Sequence, residues 1–298
     1  MLWLAGLMGL MAVGAVGVMD MGGTTDEGED EVPETPDEVS DAPHLGVGTD
    51  GDDKIDGTVG NDTLVGDDGD DTLNGNAGDD TLHGDDGSDV LRGGDGDDAL
   101  FGHNTSDDIR GGDGNDELQG SAGDDMLSGD DGDDAVQGGL DNDTLDGGMG
   151  ADSLFGGWGD DVVNGVVDDA TTEGLSDIDG ADFLNGGSDN DVIIAGAKDI
   201  VTAGDGQDTI VAGDWIEEGE TTEITDFDAE DDNILLVYDD DADVPDVSLQ
   251  PDPETPGTML VMMDGVAVAS VTNGAELSLD DIAVMPLSMA QAAGMAPL

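Results

Sequence analysis

From Gly48 to Asn164 an aliphatic residue returns at every ninth position, from Ile55, Leu64 and Leu73 through to Leu154 and Val163. The 117 residues divide into 13 units of nine without slippage. With each unit started at glycine, position 1 is Gly and position 6 is Asp in all 13 units, and position 8 is always Ile, Leu or Val. Position 4 is Gly in 11, Thr105 and Asp141 being the exceptions. A repeat this strict is read as one architecture. Gly at positions 1 and 4 marks backbone that turns tightly or takes φ > 0. Position 2 is Gly, Asp or Asn in nine units, residues that tolerate the left-handed region. The pattern therefore predicts a turn over positions 1 to 6 and a very short strand over 7 to 9. Position 8 faces one way, and positions 7 and 9 face the other. One unit cannot bury its aliphatic residue alone, whereas stacked units form a narrow core.

Position 6 carries the candidate chemistry. An obligatory carboxylate lies beside a turn whose carbonyls stand outside any ladder, and hard divalent cations take such oxygens. The candidate metal-ligating residues are Asp53, Asp62, Asp71, Asp80, Asp89, Asp98, Asp107, Asp116, Asp125, Asp134, Asp143, Asp152 and Asp161. Asp182, Asp191 and Asp208 join them from degenerate units further on. A second Asp often stands at position 5, for example Asp52, Asp70 and Asp97, adding ligands or only field.

Gly111 to Gln119 (Gly-Gly-Asp-Gly-Asn-Asp-Glu-Leu-Gln) and Gly93 to Phe101 fit Gly-Gly-x-Gly-x-Asp-x-Leu-x at every fixed position. This nonapeptide resembles that of the repeats-in-toxin (RTX), hemolysin-type calcium-binding proteins. The resemblance is strong over residues 48–164 and weak to about 214. It implies an all-β, right-handed parallel β-roll with two short strands per 18-residue coil. It further implies calcium held between loops of successive coils, the position 6 Asp of one unit sharing an ion with the loop two units on.

The chain has 298 residues and a formal net charge of −72, its only bases being Lys54, Arg92, Arg110 and Lys198. Nucleic acid and anionic membrane surfaces are excluded as electrostatic partners. The repeat block holds 34 acidic and 3 basic residues, a net of −31. Thirteen units give 11 pairs two units apart, and 11 dications would reduce that to −9. Without metal the tract reads as a disordered acidic segment, although disorder does not require an aliphatic residue in every ninth place. There is no Cys, so neither disulfides nor thiol chemistry enters, and calcium can be the staple instead. His44, His83 and His103 read as exposed turn or linker residues rather than ligands.

Residues 1–19 are uncharged and apolar, with small residues recurring from Ala5 to Gly17. They read equally as a membrane-inserted N-terminal apolar helix, which would anchor the chain at a cell surface, or as a targeting segment. Residues 20–47, acidic with Pro33, Pro36 and Pro43, read as a linker. The β-roll is expected over 48–214, with an insert at 165–176 and degenerate repeats at 177–214. Residues 215–285 read as a β-rich C-terminal cap on the open end of the roll. Within it Asp264-Gly265 is a two-residue hairpin signal between Met259–Met263 and Val266–Val271, and Ser278 with Asp281 forms a capping signal. Residues 286–298 form an uncharged tail, where type I secretion signals lie.

The repeats, linker and cap leave no room for an enzyme domain, and no His-Glu-x-x-His or Gly-x-Ser-x-Gly occurs. Ice binding would need a flat row of like residues, and position 7 offers only Thr63, Thr72 and Thr81 in succession. The expectation is a non-enzymatic, secreted or surface-exposed protein that binds several calcium ions and folds on binding them. The alternative is a calcium-stabilised adhesin or matrix component with a partner-binding insert or cap.

Overall fold

The computed structural model describes residues 42–167, 177–217, 219–240 and 242–296. The apolar segment 1–19, the linker up to residue 41 and residues 168–176 of the insert lie outside them. The described chain is an all-β parallel β-solenoid of about nine turns with almost no helix.

The period of nine makes this fold because each unit contributes one strand and alternate units feed alternate sheets. Pairing therefore runs 18 residues apart: Leu64 lies beside Leu82 in one sheet, and Leu73 beside Leu91 in the other. Among the described residues the two sheets count 13 and 11 strands. Between them the position 8 side chains stand in single file, with Leu64, Leu73, Leu82, Leu91, Leu100 and Ile109 fully buried. Positions 7 and 9 point outward on both faces.

The strands are longer than the sequence predicts. Thr72–Ala77 spans six residues, positions 7 to 9 and then 1 to 3 of the next unit. Pairing lapses at Gly75 and resumes with Asn76 beside Gly94 and Ala77 beside Asp95. The left-handed residue at position 2 bends the strand without taking it out of the ladder, and the turn proper contracts to positions 4 to 6.

The roll absorbs the irregularities without losing register. Across the insert, Leu154 pairs with Leu184 and Val163 with Ile193, a spacing of 30 residues. Across the shortened unit, Leu184 pairs with Val201 and Ile193 with Ile210, a spacing of 17. Further on, Asn233–Tyr238 extends one sheet and is followed there by Ile282–Pro286, parallel to it. The other sheet passes from Thr222–Ile224 to Val266–Val271 and then turns antiparallel through Met259–Met263 and Val247–Pro251. The hairpin falls where the sequence places it, with Asp264 and Gly265 both at positive φ, 53° and 86°. Ser278 and Asp281 form the expected capping box on a short 3₁₀ turn, Leu279–Asp281. A single helix of the described residues, Leu287–Ala292, lies in the tail. It is too short to cross a membrane.

Candidate metal centre

The turn Gly66–Asp71 shows how the repeat builds its chemistry. Asp67 and Gly69, at positions 2 and 4, take φ of 79° and 127°. Position 1 needs glycine for a different reason from the one the sequence gives. Gly66 is not left-handed; a Cβ there would lie 2.3 Å from Asp71 Oδ2 and 2.6 Å from the carbonyl oxygen of Gly84, one coil on. The missing side chain leaves a small hollow edged by a carboxylate and a carbonyl. It recurs at Gly75, where the distances to Asp80 Oδ2 and the Gly93 oxygen are 2.2 and 2.6 Å, and at Gly93 with Asp98 and Gly111, at 2.2 and 2.7 Å.

The position 6 carboxylates use their two oxygens differently. Oδ1 reaches back one coil and accepts a backbone N–H: Asp53 donates to Asp71 at 2.6 Å and Asp80 to Asp98 at 2.7 Å. The chain of bonds crosses the insert, with Asp152 donating to Asp182 and Asp161 to Asp191, both at 2.8 Å. Oδ2 has no hydrogen-bond partner among the described residues in all eleven such aspartates from Asp71 to Asp161, nor in Asp182, Asp191 and Asp208. None of these residues is more than 4% exposed. Asp53 and Asp62 stand apart: their Oδ2 atoms accept the N–H groups of Thr49 and Thr58 in their own turns.

Burial pushes the carboxyls of Asp80 and Asp89 up to about 6, those of Asp98 and Asp134 up to about 7, and those of Asp107 and Asp143 up to about 8. The N–H from the preceding coil opposes the rise, and neighbouring carboxylates add to it. At neutral pH the most raised of these, Asp107 and Asp143, are largely protonated in the folded roll, and a nearby cation would restore their charge. Among the described residues no three acidic or His side chains converge on one point. Any ion here therefore takes carboxylates singly or in pairs and completes its shell from carbonyl oxygens, the donor set of a hard dication such as calcium.

Position 5 does something else. Its side chains are exposed and reach forward: Asp70 Oδ1 accepts from Ser88 N at 3.0 Å, and Asp97 Oδ1 from Asn115 N at 2.9 Å. Asn115 and Asn142 serve as well as Asp there, which marks a structural ladder rather than a charge requirement. Two residues of the position 6 row escape the nine-residue count. Asp199 accepts from Asp182 N, and Asp232 from Asp208 N. Both precede an aliphatic residue by two places, Val201 and Ile234, and that Asp-x-aliphatic signal identifies them once the fixed spacing is relaxed. His83 and His103 meet on the outer face, Nδ1 to Nε2 at 3.0 Å, with His83 stacked on Phe101.

The sequence family described as RTX calcium-binding nonapeptide repeat (4 copies) matches residues 47–82, 74–107, 101–136, 128–163, 178–210 and 198–214. No curated protein matches the chain. A solved structure, that of the extracellular lipase LipA from Serratia marcescens, aligns at 14% identity with a TM-score of 0.25, over 83% of this chain and 41% of the lipase. The chain thus spans less than half the length of that enzyme, and the likeness carries no argument about activity.

Proposed function

Since the chain belongs to the RTX calcium-binding nonapeptide repeat family, we propose that it is a non-enzymatic protein of the cell exterior whose roll binds several calcium ions and folds as it does so. One observation carries this reading: the row of buried, unpartnered Oδ2 atoms, most of them beside a glycine hollow edged by a backbone carbonyl of the next coil. The proposed ligands are the position 6 aspartates from Asp71 to Asp161 with Asp182, Asp191 and Asp208, helped by carbonyls of the next coil. Calcium would supply the counter-charge, and the chain's own groups would hold it. Asp53 and Asp62, whose oxygens are already taken by Thr49 and Thr58, contribute least.

The core cannot fold these coils unaided. A unit buries one aliphatic side chain, worth roughly 1.5–3 kcal/mol. Ordering its nine residues costs on the order of 1–2 kcal/mol each. The ladder hydrogen bonds contribute only about 1 kcal/mol apiece, and 34 acids against 3 bases repel one another. At low free calcium the block should stay expanded; at the roughly 10⁻⁴–10⁻³ M typical of extracellular modules it should fold. Such a chain could leave a cell unfolded and fold outside, which suits type I secretion. Residues 215–285 are proposed as the cap, because their antiparallel strands and broad core end the stack. Far-UV circular dichroism and hydrodynamic radius across a calcium series test the reading. The expected result is a steep transition in calcium and little response to magnesium, which demands a tight octahedron. Fully formed, compact repeats in metal-free buffer would overturn it.

A second reading, an adhesin or matrix component, is favoured by one feature. Leu140, Phe155, Trp158 and Phe183 are 41–65% exposed on three neighbouring strands of one sheet. In a chain with 3% aromatic residues this patch is conspicuous. Cell aggregation by the wild type and not by W158S/F183S would select this reading.

A further inference from the structure

The seam where the chain leaves the regular coils at Gly165 and rejoins them at Asp177 holds carboxylates that the nonapeptide does not account for. Asp199, the position 6 residue of the shortened unit, has both oxygens occupied: Oδ1 accepts from Asp182 N at 2.9 Å and Oδ2 from Gly196 N at 2.6 Å. The coil that lost a residue has therefore also lost its free Oδ2. Other oxygens stand there instead. Asp177 Oδ2 accepts the Ala197 N–H and lies 2.2 Å from where a Cβ on Gly196 would be, with the Gly165 carbonyl oxygen 3.1 Å from that point. Asp177 Oδ1 and both oxygens of Asp179 are buried and unpartnered. The Asp177 and Asp179 carboxylates face each other within hydrogen-bonding reach, yet two carboxylates offer only acceptors.

A separate residue points into the same place. Asp182 is 1% exposed, and its unpartnered Oδ2 sits 2.8 Å from the Cβ position of Gly165. In a regular turn this oxygen would face the position 1 glycine of its own unit; here that position is Asp177. The nearby Lys198 feels the charge of Asp177 but makes its ion pair elsewhere, its Nζ bonding Glu220 Oε1 at 2.7 Å in solvent.

We propose that Asp177 and Asp179, with the carbonyl oxygen of Gly165, form an additional calcium site at the seam, distinct from the regular turns, with the buried Asp182 carboxylate adding its charge beside the pair. The proposal rests on the calcium reading above. As in the regular turns, no three acidic side chains meet at one point, so the carbonyl belongs to the ligand set. Calcium affinity rises with the number of charged ligands. The seam site should fill before the regular ones and tie the entry of the insert at Gly165 to its exit at Asp177 and to Gly196 in the next coil.

Native mass spectrometry of the full chain across a calcium series tests this, with circular dichroism at saturating calcium as the check on folding. The wild type should take up one ion ahead of the cooperative set. D177N/D179N should bind one ion fewer at saturation, and its first uptake should need at least about tenfold more calcium. D179N alone keeps the bond from Ala197 N–H to Asp177 and should lose the same ion, which covers a double variant that fails to fold. An unchanged ion count in a folded variant overturns the site while leaving the calcium reading intact. So does a D179N chain that cannot fold in saturating calcium, because Asp179 would then be structural. A wild type that binds no calcium would overturn the calcium reading itself.

Discussion

The regular coils and the C-terminal third are built on the same two sheets but held by different means. In a regular strand such as Thr72–Ala77 one large apolar side chain, Leu73, is buried, and the other buried position is a glycine. In Asn233–Tyr238 four in succession are buried, Ile234, Leu235, Leu236 and Val237, and they join Trp215, Ile216, Val261, Val268 and Val271 in one cluster. The first region has thirteen aspartates at one turn position and a single-file core; the second has few such carboxylates and a core of ordinary breadth. A solenoid can thus be stabilised through its turns or through its interior, and this chain changes from one to the other along its axis. The largest effect should follow from removing calcium at neutral pH. Hydrogen exchange should then become nearly unprotected over residues 48–164, while Asn233–Tyr238 and Val266–Val271 keep measurable protection. Protection lost or kept uniformly along the chain would break the comparison.

Acid should act on the regular coils in an unusual direction. The raised carboxyls, from about 6 at Asp89 to about 8 at Asp107 and Asp143, bind protons in the folded roll that an unfolded aspartate, with a pKa near 3.9, has released. Between about pH 4 and pH 8 the metal-free folded state therefore holds more protons than the unfolded one, and its stability falls as pH rises. Stability from this source is fully present below about pH 4 and lost by about pH 8. Metal-free protein in dilute solution should accordingly gain β-structure between pH 7.5 and pH 4.5, whereas the calcium-loaded protein should lose ions over the same range. A metal-free chain equally unfolded at both pH values would refute the linkage.

Much of this was legible in the sequence because period nine maps directly onto one strand per unit. The aliphatic file and the aspartate row both follow from it, and Asp264-Gly265 marked its hairpin. The strand length was not legible, because an Asn or Asp at positive φ reads as a turn although Asn76 stays in the ladder. Nor was the reason for the position 1 glycine, which lies in the approach of its own unit's position 6 carboxylate and of the following coil's carbonyl rather than in its own dihedral angles. Asp199 and Asp232 escaped because a fixed count fails wherever the coil gains or loses residues. The division of labour between positions 5 and 6 depends on which neighbouring coil each side chain reaches, a relation 18 residues away in the sequence.

Within the regular coils a charge in the interior should do more harm than the loss of a ligand. Leu100 is fully buried, between Leu82 and Leu118 on the adjoining strands. Leu100→Asp places an unpaired carboxylate there, and burial without a partner costs at least several kcal/mol. The melting transition at saturating calcium should disappear or fall by tens of degrees. The same change at exposed Met126 should leave it nearly unmoved. Equal melting temperatures for the two variants would mean that position 8 does not form the core.

The smallest effect separates two members of the aspartate row. Asp98 and Asp62 occupy the same position in their units and each accepts a backbone N–H one coil back, from Asp80 and His44. They differ in the second oxygen: Asp98 Oδ2 is unpartnered, while Asp62 Oδ2 is bonded to Thr58. Asparagine keeps the Oδ1 acceptor and removes the charge. In Asp98→Asn the amide faces the hollow at Gly93 that a cation would use, so one ion should be weakened about tenfold, or about 1.4 kcal/mol. The calcium midpoint of folding should rise measurably. In Asp62→Asn the amide nitrogen can no longer accept from Thr58 N–H, so a local bond of the first coils is lost but no ion, and the midpoint should shift less than in Asp98→Asn. Calcium titrations of the two variants, followed by circular dichroism, decide the matter. If Asp62→Asn shifts the midpoint as far as Asp98→Asn does, the unpartnered oxygen is not what distinguishes a ligand in this row, and metal binding would have to begin at the first coil.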